Sequence, residues 1–390
     1  MLIEIHMLQN HAPSNLNRDD TGSPKECVFG GVKRARISSQ CLKRSIRRSE
    51  IFQCDLAGHL AQRTRRLPEI VKERLIGTGI SPEMAEIAAQ KASGFGNKEG
   101  KEQSKLETAQ MMFLMEADIA AVTEVLRTAA MEAGTAAKFA KLQAKDLQAK
   151  AEQIGFRPIT VDIALFGRMT TSEAFRDVEA AAQVAHAIST HKVDHEFDYF
   201  TAVDDLKNTS EQEEDSGAGM IGDVEYNSAC YYKYFSIDLS GLRANLTGAK
   251  LGRNDIPAAE QEKAASLIAR AVEALLKAAV MTTPTGKQNS FAAHQLPAAV
   301  LVEVRPNHTP ISYANAFVDP ARTGKDGDLV RASLVKLAAH VEALTAGFNL
   351  ESTARLLLAP EHAEFNIAGV ERVSDFNALC GRMREVMANG

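Results

Sequence analysis

The sequence has no tryptophan, only 6% aromatic residues, and no apolar stretch near the 18 or so residues that a membrane-spanning helix requires. Cysteine is scarce and scattered. Cys27, Cys41, Cys54, Cys230 and Cys380 are odd in number and never form a CxxC pair, which excludes a disulfide framework and a zinc ribbon. Net positive charge is also missing, since the formal total is −5. The opening residues MLIEIHMLQN carry Glu4 and no basic n-region, so no signal peptide is expected. These absences lead to the expectation of a soluble, cytoplasmic protein with no membrane partner.

Familiar catalytic signatures are absent too. No G-x-S-x-G or G-x-G-x-x-G occurs, and TGKQ at 285–288 lacks both the leading glycine and the Ser/Thr of a phosphate-binding P-loop. His186, His191 and His195, near Asp194 and Asp198, have a spacing unlike HExxH and read as structural or capping groups. The aromatic run with Tyr231, Tyr232, Tyr234 and Phe235 lacks an RNP pattern and reads as core. No metal or other cofactor is expected.

What is present is a globular composition, 45% apolar and 24% charged, in 390 residues, enough for two or three compact units. Residues 2–8 alternate as a strand, with Ile3, Ile5 and Met7 on one face. Residues 55–155 are rich in Ala, Leu, Glu and Lys and read as helical, with a loop at 93–104. The run ITVDIALFG, 159–167, predicts a buried strand, and 228–239 and 297–304 predict two more. Pro257 opens a long amphipathic helix, and helical patterns recur at about 328–346 and 376–388. Residues 207–223 are acidic and glycine-rich, as expected of a loop or hairpin tip. No internal repeat occurs. The order of elements implies an α+β fold on a mainly antiparallel sheet, with a split βαβ or ferredoxin-like core as one solution.

Charge is strongly segregated. Residues 25–48 hold Lys25, Lys33, Arg34, Arg36, Lys43, Arg44, Arg47 and Arg48 against the single acid Glu26, a local +7 that leaves −12 for the remainder. A helix begun by Ser38 or Ser39 sets Lys43 with Arg47, and Arg44 with Arg48, in rows four apart. With Ser38, Ser39 and Gln40 at the helix start, this pattern suits a sugar-phosphate backbone, which carries no base specificity. A solvated helix face is the plainer alternative. Lys138, Lys141 and Lys145 fall on one face of a single expected helix near 138–150 and form a second, weaker stripe. Asp19 and Asp20 in LNRDD suit either turn chemistry or Mg²⁺-dependent RNA cleavage.

Four ordered segments, 11–49, 161–172 (VDIALFGRMTTS), 185–206 (AHAISTHKVDHEFDYFTAVDDL) and 310–318 (PISYANAFV), resemble the CasC-type backbone subunits of type I-E CRISPR Cascade complexes. That resemblance implies an RRM-like palm (1–54 and 156–390), helical fingers (55–155) and a β-hairpin thumb (194–226). It further implies a non-catalytic subunit that polymerises with copies of itself along a guide RNA (crRNA) and presents it to target DNA for antiviral defence. Other Cascade subunits would cap the guide ends, with a small subunit alongside. Ser39, Gln40, Lys43, Arg44 and Arg47 match guide-backbone contacts, and Lys33 and Arg36 belong to the same strip. Arg168, Met169, Phe200 and Thr201 match the segments that wedge beside a kinked nucleotide, and Lys138, Lys141 and Lys145 match finger lysines facing DNA. The thumb segment holds eleven acids against Lys207, which suggests that Asp204 and Asp205 dock on the basic strip of the next copy. Related type III backbone subunits cut RNA with a loop aspartate, which keeps Asp19 or Asp20 as the alternative.

Overall fold

The computed structural model describes residues 1–154, 157–202, 220–323 and 327–389. The chain divides into two compact units, one made of 1–52, 183–237 and 272–390, the other of 53–182 and 238–271. Residues 157–182 and 238–271 group with the helical stretch in the second of these units.

The strands are β1 (Leu2–Ser14), β2 (Glu26–Phe29), β3 (Val32–Ile37), β4 (Gln62–Thr64), β5 (Met112–Leu114), β6 (Ala182–Val184), β7 (Ala187–Ser189), β8 (Glu196–Ala202), β9 (Met220–Asp238), β10 (Ala299–Arg305), β11 (Ala354–Leu358) and β12 (Glu371–Arg372). In the first unit they form a mixed sheet ordered β12-β11-β10-β1-β9-β7-β3-β2, with β6 and β8 also on β9. The pairs β1–β10, β10–β11, β2–β3, β3–β7, β7–β9 and β8–β9 are antiparallel, and β11–β12 is parallel. The fold is α+β. No described helix is long and apolar enough to cross a membrane.

β1 is buried along both faces, as its place between β10 and β9 requires. Ile3, Ile5 and Met7 give one face an apolar surface. The other face carries Glu4 and His6, and these build a buried polar network. Antiparallel register sets Glu4 opposite Glu303 of β10, and Glu303 opposite Arg355 of β11. Two carboxylates side by side repel, so the arrangement needs cations. Arg305 pairs with Glu4 through Nε and donates to Glu303 from Nη2 at 2.8 Å, while Arg355 Nε reaches Glu303 at 2.6 Å. Tyr234 donates to Glu4 at 2.5 Å and Tyr313 to Glu303 at 2.7 Å. The Ile311 N–H bonds Glu4 and the Tyr313 N–H bonds the Tyr232 hydroxyl, so the PISYANAFV segment is locked onto this face. Burial opposes charge on Glu303, but hydrogen bonding and charge from His6, with Arg305 and Arg355, hold its carboxyl far below the usual range. The aromatic strand segment is core, as its sequence suggests: Tyr231, Tyr232, Tyr234 and Phe235 are all buried.

The second unit packs helices Leu67–Gly77, Pro82–Ser93 and Glu116–Ala133 around Leu67, Val71, Phe95, Val122, Leu126 and Phe139. Two local expectations are corrected here. The run at 159–167 is a helix, Val161–Phe166, not a strand. A short, fully buried apolar run lacks the periodicity that separates the two, and Gly167 at φ 79 ends the turn. The lysine stripe does not lie on one helix. Lys138 sits in Ala136–Ala140, Lys141 caps that helix, and Lys145 sits in Ala144–Glu152, because Phe139, Ala144 and Leu147 are each drawn into the core across the break.

Replacing Glu303 by Ala would strand Arg355 and leave Arg305 with Glu4 alone, and a loss of about 3–5 kcal/mol is expected in urea unfolding. Because its folded pKa is depressed, the stability due to this carboxylate is complete above the ordinary glutamate value of 4.5 and is lost progressively as pH falls from there toward the lowered folded value. Acid titration of wild type against Glu303→Ala measures that window.

Candidate nucleic-acid interface

The basic segment is assembled from a hairpin and a helix. β2 and β3 join through Gly30 and Gly31, whose φ values of 61 and 78 fit the two-residue turn of a twisted hairpin. Gly30 admits no side chain, since a Cβ would lie 1.8 Å from the Val318 carbonyl oxygen. Helix Ser39–Arg48 follows. The Ser38 hydroxyl accepts the Cys41 N–H at 3.3 Å, and the Asn17 side-chain oxygen accepts the Ser38 N–H at 2.8 Å. Ser39, Leu42 and Ile46 form the buried side, Lys43 and Arg47 are half-buried, and Gln40, Arg44 and Arg48 are exposed.

The bases of this segment divide into two kinds. Arg34 is fully buried and donates to the carbonyls of Phe29, Ser189, Phe317 and Val318 at 3.2, 3.1, 2.7 and 3.3 Å. It staples the sheet edge and presents nothing to a ligand, so the surface strip is smaller than the count of charges suggests. Lys33 is exposed and pairs with Glu26 at 3.1 Å. Arg36 donates to the Glu26 carbonyl at 3.2 Å and lies 3.2 Å from His186 Nδ1. Ser39 is buried, its hydroxyl bonded to the Gln40 side chain at 3.1 Å.

The loop after β1 organises what surrounds the helix. Asn15 Nδ2 donates to the Gly22 carbonyl at 2.9 Å and to the Glu225 carbonyl of β9 at 2.8 Å. One loop thereby ties the start of the helix to the base of the β8–β9 ribbon. Asp19 Oδ1 accepts from the Thr21 N–H at 2.9 Å, the Thr21 hydroxyl at 2.7 Å and the Ser23 N–H at 3.0 Å, bonds that lower its pKa. This is turn chemistry. Asp20 is exposed beside it, and both line a cavity of about 480 Å³ with Arg18, Cys41, Arg44 and Ser45.

The ribbon itself is open to solvent along all of β8. The Phe200 ring lies across Gly222, where an added Cβ would meet it at 2.5 Å. Thr201 stands opposite Ile221, and both are exposed. At the ribbon's base His195 bridges Glu225 at 2.7 Å and Glu26 at 3.4 Å. Burial lowers His191 to about 4, and His186 lies against Arg36, so the three histidines serve structure. Asp204, Asp205 and the rest of 203–219 lie outside the described residues.

In the second unit, Arg168 and Met169 point to opposite fates. Arg168 is buried and bonds Asp118 at 2.6 Å, the Phe113 carbonyl at 3.2 Å and the Arg176 carbonyl at 3.0 Å. Met169, the next residue, is 93% exposed. Lys138, Lys141 and Lys145 are all exposed.

Two features escape sequence reasoning. Lys233, in the midst of the aromatic strand, is fully buried, donates to the Gln9 side chain at 2.5 Å, and is lowered by burial to about 8. Its only signal is a charge interrupting YYKYF. Glu4, His6 and Glu303 place donor atoms within 4.8 Å of one another, as a metal site does. Arg305 and Arg355 already supply the positive charge there, so the group fits a structural network better than an ion.

A family model described as CT1975-like protein matches residues 3–381. The chain belongs to that family. This CT1975-like protein is also similar to solved structures. A chain of the "CRISPR RNA-guided surveillance complex, pre-nicking" shares 29% identity at TM-score 0.79, covering 99% of this chain and 100% of that one. A chain of a "CRISPR RNA-guided surveillance complex" shares 26% at TM-score 0.69, covering 99% of each. No curated protein matches the sequence.

The two kinds of arginine separate in a stability measurement. Arg34→Ala leaves four carbonyls without their donor and is expected to cost about 3 kcal/mol or more in urea unfolding. Arg44→Ala, at an exposed site, is expected to stay within about 0.5 kcal/mol of wild type.

Proposed function

We propose that this CT1975-like protein is a guide-RNA-binding backbone subunit of a Cascade-type CRISPR complex, of the type I-E kind, and performs no catalysis. The carrying observation is the exposed row of helix Ser39–Arg48, joined through one loop to an open, aromatic-bearing ribbon. Full-length similarity to chains of RNA-guided surveillance complexes supports the same reading.

In this reading Lys33, Arg36, Gln40, Lys43, Arg44 and Arg47 hold the sugar-phosphate backbone, while Ser39 shapes the helix start. Phosphate contacts of this kind set register and leave base edges unread, so sequence is left to pairing with target DNA. Phe200 with Thr201 on the ribbon, and Met169 in the second unit, act as wedges between neighbouring bases. An apolar side chain separates stacked bases without distinguishing them. Arg168 holds Met169 in place from within, because its own donors are engaged with Asp118 and two carbonyls. The sheet of the first unit serves as an RRM-like palm, the helical stretch as fingers and the β8–β9 ribbon as a thumb. Copies assemble along one guide beside other Cascade subunits, and Lys138, Lys141 and Lys145 give non-specific contact to target DNA.

The double variant Lys43→Ala with Arg47→Ala is expected to weaken RNA binding alike for all sequences. The slope of log affinity against log salt should shrink by roughly one to two. An unchanged slope, measured by filter binding at several salt concentrations, counts against the backbone contacts. Complementary RNA incubated with assembled complex and Mg²⁺ is expected to remain intact. Periodic cuts that vanish on Asp20→Ala would replace the non-catalytic reading with a nuclease.

A further inference from the structure

Among the described residues, the buried lysines and arginines are Arg34, Lys91, Arg168, Lys233 and Arg305. A buried charge is tolerable when the fold gives it an opposite charge or a full set of acceptors. All but one have this. Lys91 pairs with Glu102 at 3.0 Å, Arg168 with Asp118 at 2.6 Å, and Arg305 with both Glu4 and Glu303. Arg34 has no carboxylate but donates to the carbonyls of Phe29, Ser189, Phe317 and Val318. Lys233 has one acceptor, the Gln9 amide oxygen at 2.5 Å, and no carboxylate pairs with it among the described residues.

Its surroundings do not supply the missing anion. By the alternation of β1, Gln9 shares a face with Ile3, Ile5 and Met7, and Lys233 bonds it there. The titratable groups facing Lys233 are His11 of β1 and Cys41 of helix Ser39–Arg48, with His294 beyond the first and Lys25 and Arg44 beyond the second. Burial, and then the charge of Lys233, lower His11 to about 4, so it is neutral at pH 7. Burial pushes the Cys41 thiol up, so it is neutral as well. Cys41 lines the cavity of about 480 Å³ beside Arg18, Arg44, Ser45, Asp19 and Asp20. Asp19 is engaged by Thr21 and Ser23, and neither aspartate bears on Lys233. A cation without a counter-charge therefore lies beneath a helix whose outer row is itself basic.

We infer that Lys233 is a buried counter-charge for the guide backbone: held under helix Ser39–Arg48, it raises the positive potential of the strip, and the phosphates supply the anion that the fold withholds. The inference rests on the guide-RNA reading and adds a residue that supports binding without touching RNA. Its field crosses protein rather than salt solution, so salt screens it less than it screens a surface lysine. Because it makes no contact, the number of phosphates neutralised directly does not depend on it.

Full-length wild type, Lys233→Gln and Lys233→Met are titrated with an RNA of adenines only, whose bases keep one protonation state from about pH 7 to about pH 9.5. Glutamine keeps a donor for Gln9, methionine keeps the volume, and both remove the charge. At pH 7 each variant is expected to bind about fivefold more weakly. The slope of log affinity against log salt should stay as in wild type, unlike that of the Lys43→Ala, Arg47→Ala double variant. Burial holds Lys233 at about 8 in the unbound chain, and nearby phosphate raises it. Its contribution is thus complete below about 8 and is lost as pH rises through the higher bound value. Wild-type affinity should fall across the range to that of the variants, and should do so equally in a Cys41→Ser background, where the facing thiol no longer titrates. Urea unfolding of the unbound chain should find Lys233→Gln no less stable than wild type, since an uncompensated charge is removed. Unchanged affinity in both variants overturns the inference and leaves the guide-RNA reading standing. Weakened binding that keeps the wild-type pH profile traces to packing and overturns it too. A wild-type chain that binds no RNA overturns both.

Discussion

The buried charge network on β1 is the constraint from which the rest of the first unit follows. Glu4 and Glu303 are brought face to face by strand pairing, and without Arg305 and Arg355 the pairing would place two like charges in the core. Burying a charge is tolerable only when it is paired and hydrogen-bonded. A one-residue slip of β1 would turn Glu4 and His6 to the opposite face, taking from Arg305 its second carboxylate and leaving Arg305 and Arg355 with Glu303 alone. The network therefore specifies register as well as contributing cohesion, and it recruits Tyr232, Tyr234 and Tyr313 to the same face.

A fixed register for β1 fixes where the strand ends. Asn15 and Asn17 follow, one reaching Glu225 at the base of the ribbon and the other the N–H of Ser38, which caps helix Ser39–Arg48. The basic row and the open ribbon are thereby held by neighbouring residues of a single loop. On the proposed reading this rigidity favours binding of a flexible polyanion, because less ordering is left to occur on binding. Arg34 extends the same logic at the sheet edge, where a charge is used up to hold backbone carbonyls so that Lys43, Arg44 and Arg47 stand on firm ground.

Much of this was legible along the chain. The first strand, the aromatic strand, the helix after Pro257 and the start of the basic helix all follow from period and capping chemistry, and the structure places them as those patterns suggest. The run at 159–167 misled because burial on all sides erases the difference between periods of 2 and 3.6. The lysine stripe misled because a break between two short helices costs the pattern nothing locally.

The sequence alone determined the local charge of +7 and the kind of element that carries it. Tertiary structure decided which of those charges face outward. Arg34 and Arg44 are the same residue type ten positions apart, yet one is spent on carbonyls 155 and 283 residues away and the other stands in solvent. Arg168 and Met169 are adjacent, yet Asp118 draws the charged one inward and leaves the apolar one exposed. The reason is the same in both cases. Whether a side chain can be buried depends on partners that only the folded chain brings within reach, and no window of neighbouring residues contains them.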